Sequence, residues 1–394
     1  MRRNSFIALA AVAAVAVAGA VVALNERQES APVARAGAAL YPDLTDHLND
    51  VTRIVLQSAD GRVTLERQGE RWVMPDRANY PVEFDKVRSL LLHLARLETV
   101  EPRTSKPEFY DRLQVEDADR PEAKSVRVTV LAGDRTWADL IVGRSRPPGE
   151  GGGLFVRKAG EPQAWLVSGE LRPDKGFVSW LDRNIVNVDQ RRVQSVEIRH
   201  ADGDRIIVAK PQPASGDYAL QTPVPEGREP KPAHELSALP SITDFLILED
   251  VRPASELDWS NPPVTAEFRT YDGLALVMDA VERDGKTWVR VTADKIDPAP
   301  DTAAFVQENK GKDSPDGRTA DLFKTPEEVA REAEAIDARV EGWAYRLTDY
   351  KTGKLKSRTA DLTQEKKQEP QQPAGKDDSG SAAEAPDKAG QTVN

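Results

Sequence analysis

Six residues recur in the same order at one constant distance, and nothing else in the chain restricts its fold as much. Val51, Ile54, Leu56, Ala59, Asp60 and Gly61 match Val193, Val196, Ile198, Ala201, Asp202 and Gly203, each pair 142 residues apart. In both places a short strand with alternate apolar residues runs into an Asp-Gly turn. A second alternating strand follows, carrying Val63 and Leu65 in one copy and Ile206 and Val208 in the other. An Asp-Gly pair tolerates positive φ, and between period-two strands it signals a β-hairpin. A period this long, present twice, predicts two duplicated domains and not a solenoid.

The copies continue in parallel. An aromatic strand follows each hairpin, Arg71 to Met74 and Asp217 to Gln221, each ending near a proline, Pro75 or Pro223. The first copy then presents Val87, Leu90, Leu91, Leu94 and Leu97 at helical spacing, with Asp85 available as a cap. The second presents Leu236, Leu239, Ile242, Phe245 and Leu246, with Pro240 inside the run, so its helix is kinked or begins there. Strands at 126–130, 137–142, 154–157 and 164–167 close the first copy; 264–269, 274–280 and 287–292 are their counterparts. The expected class is α+β: two tandem repeats of antiparallel sheet plus one helix, after one N-terminal transmembrane helix. The 28 prolines and 25 glycines agree with many short elements.

The ends of the chain differ from its middle. Arg2 and Arg3 precede an unbroken apolar run from Phe6 to Leu24. As a helix this run spans ~28 Å, close to the hydrocarbon thickness of a bilayer. The two arginines favour the cytoplasmic side, which places the bulk of the chain in the periplasm or another extracytoplasmic space, held by a single pass through the inner (cytoplasmic) membrane. A cleaved signal peptide stays open as an alternative, because Ala16-Val17-Ala18 and Ala18-Gly19-Ala20 resemble cleavage sites. The resulting map assigns 1–25 to the anchor, 26–45 to a linker, 46–188 and 189–298 to the repeats and 299–326 to a flexible insertion. It assigns 327–362 to a C-terminal helix and strand, Glu327 to Ile336 and Trp343 to Leu347, and 363–394 to a disordered tail.

Chemistry is hard to place on this sequence. With no cysteine, disulfides, thiolate nucleophiles, Cys-type metal sites and a lipoprotein anchor are excluded. A net charge of -11 with no basic stretch argues against nucleic acid, whose binding rests on neutralising phosphates. His47, His93, His200 and His234 are far apart, and none forms a His-Glu-x-x-His pattern. His93 reads as structural, and His200 as a pre-turn residue where any polar side chain would serve. The glycine run at Gly149 and Gly151 to Gly153 lacks the lysine of a phosphate loop and reads as a flexible hairpin loop. The seven tryptophans, Trp72, Trp137, Trp165, Trp180, Trp259, Trp288 and Trp343, read mainly as core, with a glycan or partner surface as the alternative for a minority. The expectation is therefore a protein that is not an enzyme, with no catalytic, cofactor-binding or metal-binding residue to nominate.

Several stretches resemble a known family, designated domain of unknown function 4340. They are Trp72 to Leu97, Leu140-Ile141-Val142-Gly143, Trp180-Leu181-Asp182-Arg183-Asn184-Ile185-Val186 leading into Val193 to Ile198, and Gly342-Trp343-Ala344-Tyr345. The resemblance spans roughly 45–362. It implies a single-pass envelope protein with a large outer region, accompanying ABC-type transporters related to gliding-motility auxiliary systems. It carries no catalytic residues over. The expected function is thus a membrane-anchored extracytoplasmic accessory or scaffold protein, associated with an ABC-type permease or other envelope proteins. A module binding an envelope glycan or lipid, or a carboxylate-based hydrolase, are the alternatives. An aromatic-lined pocket between the halves would favour the module, convergent perturbed acids the hydrolase, and an exposed apolar patch the scaffold.

Overall fold

A computed structural model of the chain describes residues 37–147, 152–211, 217–298, 303–304 and 322–366. It is a mixed α+β structure built on two large antiparallel sheets. The apolar run at 6–24 lies outside the described residues, as does most of the glycine loop. No helix among the described residues is long and apolar enough to cross a membrane.

The first sheet contains β1 (Arg53–Ser58), β2 (Gly61–Gln68), β3 (Arg71–Met74), β4 (Tyr80–Pro81), β5 (Glu98–Pro102), β6 (Val126–Ala132), β7 (Arg135–Ser145), β8 (Leu154–Lys158) and β9 (Ala164–Ser168). Their order is β4-β3-β2-β1-β6-β7-β8-β9-β5. After the short β10 (Asn184–Val186), a second series begins with β11 (Val193–His200), β12 (Arg205–Ala209) and β13 (Ala219–Leu220). The short strands β14 (Arg228–Pro230) and β15 (Leu246–Ile247) precede β16 (Asp250–Pro253), β17 (Val264–Thr270), β18 (Leu274–Arg283), β19 (Lys286–Lys295) and β20 (Trp343–Arg346). The second sheet runs β13-β12-β11-β17-β18-β19-β20-β16. Apart from the extra edge strand β4, the two orders correspond strand for strand.

The recurring residues occupy equivalent places. Ile54 pairs with Leu65 and Leu56 with Val63, as Val196 pairs with Val208 and Ile198 with Ile206. Alternation buries one face of each hairpin and leaves the other polar. The turns differ in length: Ser58 pairs with Gly61, but Arg199 with Arg205.

Helix α1 (Phe84–Ala95) lays Val87, Leu90, Leu91 and Leu94 on the first core. Its N-cap is Glu83, with no side-chain cap; Asp85 sits inside the first turn, where its charge favours the helix dipole. After the four-residue α2 (Tyr110–Leu113), the second half has no counterpart of α1. Its stretch forms a single turn, α3 (Ala233–Leu236), and a 3-10 turn at Pro240–Thr243. Pro240 has no N–H to continue an α-helix and starts the tighter turn instead. The helix covering this half is α4 (Pro326–Val340), longer than the 327–336 expected. A Thr325–Glu328 capping box starts it, and it buries Val329, Ala333, Ile336 and Val340.

Three boundaries shift. Residues 37–40 lie along the outer edge of β5, where Leu40 N–H donates to Leu97 O at 2.7 Å and Thr99 N–H to Ala38 O at 2.9 Å. Leu40 and Leu44 are buried, so the linker ends well before residue 45. The 327–362 segment does not stand apart, because β20 completes the second sheet between β19 and β16. After α5 (Asp349–Leu355), β21 (Thr363–Glu365) pairs with β14, and Thr363 is buried; the expected tail therefore starts too early. Residues 367–394 lie outside the described residues.

The halves share one continuous apolar core. Arg77 joins Asp250 at 3.0 Å and stacks over Phe177, while Tyr80 meets Trp343 edge-on, ring centroids 4.9 Å apart.

Candidate functional site

His93 and His234 are exposed, and His47 stacks on Trp137 with ring centroids 4.0 Å apart. His200 is not interchangeable with any polar residue. It is buried, and its Nε2 lies 2.9 Å from the carbonyl of Ser357, tying the C-terminal segment to the second hairpin. Trp72, Trp165, Trp180 and Trp288 are buried, and the other three tryptophans are half-buried, in keeping with core. Among the described residues no group of three metal-ligating side chains converges.

A concavity of about 1140 Å³ crosses the outer face of the first sheet. The chain between β5 and β6 forms its lip. Gly143 lets that excursion touch the sheet, since a Cβ there would lie 2.4 Å from Leu113 O. Arg157 pins it, donating to Val115 O at 2.9 Å, Glu161 O at 3.2 Å and Asp117 at 2.5 Å. Two of the floor's arginines are already engaged: Arg53 with Glu66 at 2.8 Å, and Arg127 with both oxygens of Asp139. A smaller pocket of about 300 Å³ lies where the halves meet. Its lining is mostly charged, with Trp288 under Arg252 as its one aromatic.

Two carboxylates are pushed in opposite directions. Arg191 lowers Asp189, whereas burial raises Asp244 against the opposing N–H of Gln190. Both accept backbone amides, Asp189 from Arg191 and Asp244 from Gln190, and neither lines the cavities above. Both act as turn-forming acceptors of backbone amides.

A different feature stands beside Asp244. Ile247 pairs with Asn184 and Leu246 with Val186; Leu246, Ile185 and Val186 are buried, so Phe245 and Ile247 turn outward. Phe245 is 73% exposed. It also holds φ 45, a left-handed conformation that costs a bulky residue ~1–2 kcal/mol. The spacing that placed Phe245 on a buried helix face therefore misleads: the helix stops, and the left-handed residue reverses the chain.

A rigid frame holds it there. Asn187 Oδ1 accepts the Phe245 N–H at 3.1 Å, and Thr243 Oγ1 donates to Val188 O at 2.7 Å. Lys351, from α5, donates to the carbonyls of Ser241, Ile242 and Asp244 at 2.5, 3.0 and 2.9 Å. Burial lowers the Lys351 pKa, with Asp244 opposing. Beside this frame a groove of about 370 Å³ runs between Asn184, Val186 and Asn187 on one wall and the exposed side of α4 on the other.

The family model described as "Domain of unknown function (DUF4340)" matches residues 72–258. The match starts at the Trp72 strand and ends beyond β16, so it includes parts of both sheets, Asn184, Asn187 and Phe245, but neither α4 nor the Gly342 to Tyr345 segment. No curated protein matches the chain.

Proposed function

We propose, following the resemblance to that domain family, that this chain is a membrane-anchored extracytoplasmic accessory or scaffold protein. It consists of two copies of one unit held by the 6–24 segment, and it docks on an envelope protein complex through the surface around Phe245. An ABC-type transport system is the partner class to which the resemblance points. The supporting observation is Phe245 itself. An exposed phenylalanine forgoes ~1.5–3 kcal/mol of burial, and its left-handed backbone adds strain. Both are offset when a partner covers the ring, and the side chain is already presented in place by a fixed frame. The pocket that lies where the halves meet is mostly charged, with one aromatic, and so offers little support for a glycan-binding module.

The test is a photo-crosslinking amino acid at position 245 in native membranes, with one at position 84, also exposed, as control. A discrete crosslinked envelope protein from 245 and not from 84, lost in Phe245→Asp, supports docking. Equal or no crosslinking at both positions overturns it.

A further inference from the structure

The groove and the strand beside it present three strips of different chemistry. Phe245 and Ile247, outside the groove's own lining and next to its β10 wall, form an exposed apolar strip. Asn184, opposite Ile247 in the β10–β15 pair, and Asn187, which holds the Phe245 amide, form an amide strip. On the far wall stand Arg331, Ala335 and Arg339, four residues apart along α4 and exposed. At helical rise the two guanidinium stems are ~12 Å apart on one face.

The charge on that far wall is unbalanced. Glu332 also lines the groove, but it is held by Arg192 at 2.7 and 2.9 Å and by Lys324 at 2.7 Å. Glu328 closes the helix cap on the Thr325 amide. Arg331 and Arg339 make no ion pair among the described residues. On the outer face of the second sheet, by contrast, Arg199, Arg205, Arg269 and Arg290 are all paired with carboxylates.

We infer that this groove takes an acidic amphipathic segment of a partner protein, its apolar side chains on Phe245 and Ile247 and its carboxylates on Arg331 and Arg339. The inference rests on the docking reading above and adds the chemistry of the partner. Guanidinium groups bind carboxylates through paired, charge-assisted hydrogen bonds. The asparagine amides offer donors and acceptors to a peptide backbone. Two cations are too few to hold a polyphosphate chain, and an apolar strip has no use for one.

The experiment uses the full-length chain in mild detergent and fluorescein-labelled helical peptides of leucine and glutamate, with a leucine and lysine peptide of the same layout as comparison. Anisotropy should report binding of the glutamate peptide, weakened by salt and at least about tenfold weaker in R331E/R339E and in F245A. R331Q/R339Q should fall between. Equal binding of both peptides, or unchanged binding by R331E/R339E, overturns the inference. So does binding to phosphatidylglycerol vesicles with the same arginine dependence, which would make the surface a lipid contact. Crosslinking from position 245 separates the two ideas. If it persists in R331E/R339E, docking stands and the acidic partner segment falls; if it is absent in the wild type, docking itself falls.

Discussion

The two sheets share a strand order but are covered from different parts of the chain. In the first half the apolar face is closed by α1, which lies between β4 and β5. In the second, the equivalent stretch shrinks to a turn, and α4, inserted between β19 and β20, takes over. The first half instead spends its long connection between β5 and β6, laid across the outer polar face and pinned by Gly143 and Arg157. The matching connection between β16 and β17 is short, and the outer face there carries paired charges. The ladder persists because register fixes which side chains face inward, and a one-residue slip would expose the whole apolar set. A cover has only to be amphipathic, so it can come from anywhere in the chain.

The outer edges are also protected in two ways. Residues 37–40 pair with β5. At β16, the Val251 N–H is taken by its neighbour's Asp250 Oδ1 at 2.9 Å, Pro253 has no N–H, and Arg77 holds Asp250. Both devices remove free donors that would recruit another strand.

Arg192→Ala should be the most damaging substitution in the second half. Arg192 ties the second sheet to α4 by bridging Asp272 at 3.0 Å and Glu332, and it is buried. Its loss leaves buried Asp272 without a counter-charge and Glu332 with Lys324 alone, at a cost of ~3–5 kcal/mol. Urea unfolding should show that loss, and amide exchange should show 326–340 opening while α1 stays protected. If α1 opens in step, the covers are not independent and the halves unfold as one.

Gly143→Ala is the corresponding break in the first half. The new methyl group meets the backbone of Leu113 and Gln114, so the excursion must lift, costing ~1–3 kcal/mol. Limited proteolysis should then cut within 103–125 while the second half keeps its wild-type pattern. An unchanged melting curve and no new cleavage would mean the excursion is not held at this point.

Acid should separate the halves less strongly. Burial alone would raise Glu332, but Arg192 and Lys324 outweigh it and hold its pKa below the usual value. A carboxylate lowered by folding contributes fully above its unfolded pKa of ~4.3, and that contribution fades as pH falls through the folded value. On acidification α4 should lose exchange protection before α1, whose first-turn pair, Lys86 with Glu83 at 3.3 Å, is exposed to solvent. Simultaneous loss would count against this order.

The strands that alternate over a short stretch, such as Val51 to Leu65 and Val193 to Val208, were legible because their signal is local. The edge strands β5 and β16 were not, since Glu98, Glu101 and Pro253 break the apolar pattern and their partners are distant in sequence. His200 looked replaceable because Ser357, its partner, is 157 residues away. The docking surface was hidden for a related reason. Leu236, Leu239, Ile242 and Phe245 keep helical spacing, and nothing in a phenylalanine announces a left-handed backbone.

Phe245→Asn should have the smallest effect on folding and the sharpest one on docking. Leu97, where α1 leads into β5, and Leu248, shortly before the matching strand β16, are both fully buried. Leu97 therefore serves the core, whereas Phe245 serves no packing role in the isolated chain. Asparagine tolerates the left-handed region better than phenylalanine, and the backbone bond to Asn187 does not depend on the side chain. Relief of strain should raise stability by ~0.5–1 kcal/mol, seen as a small upward shift in melting temperature. Partner co-purification should fall in the same variant, because the aromatic anchor is gone. A stabilised protein that loses its partner separates function from folding at one residue. A destabilised one would show that the ring packs against its own chain, and the contrast with Leu97 would collapse.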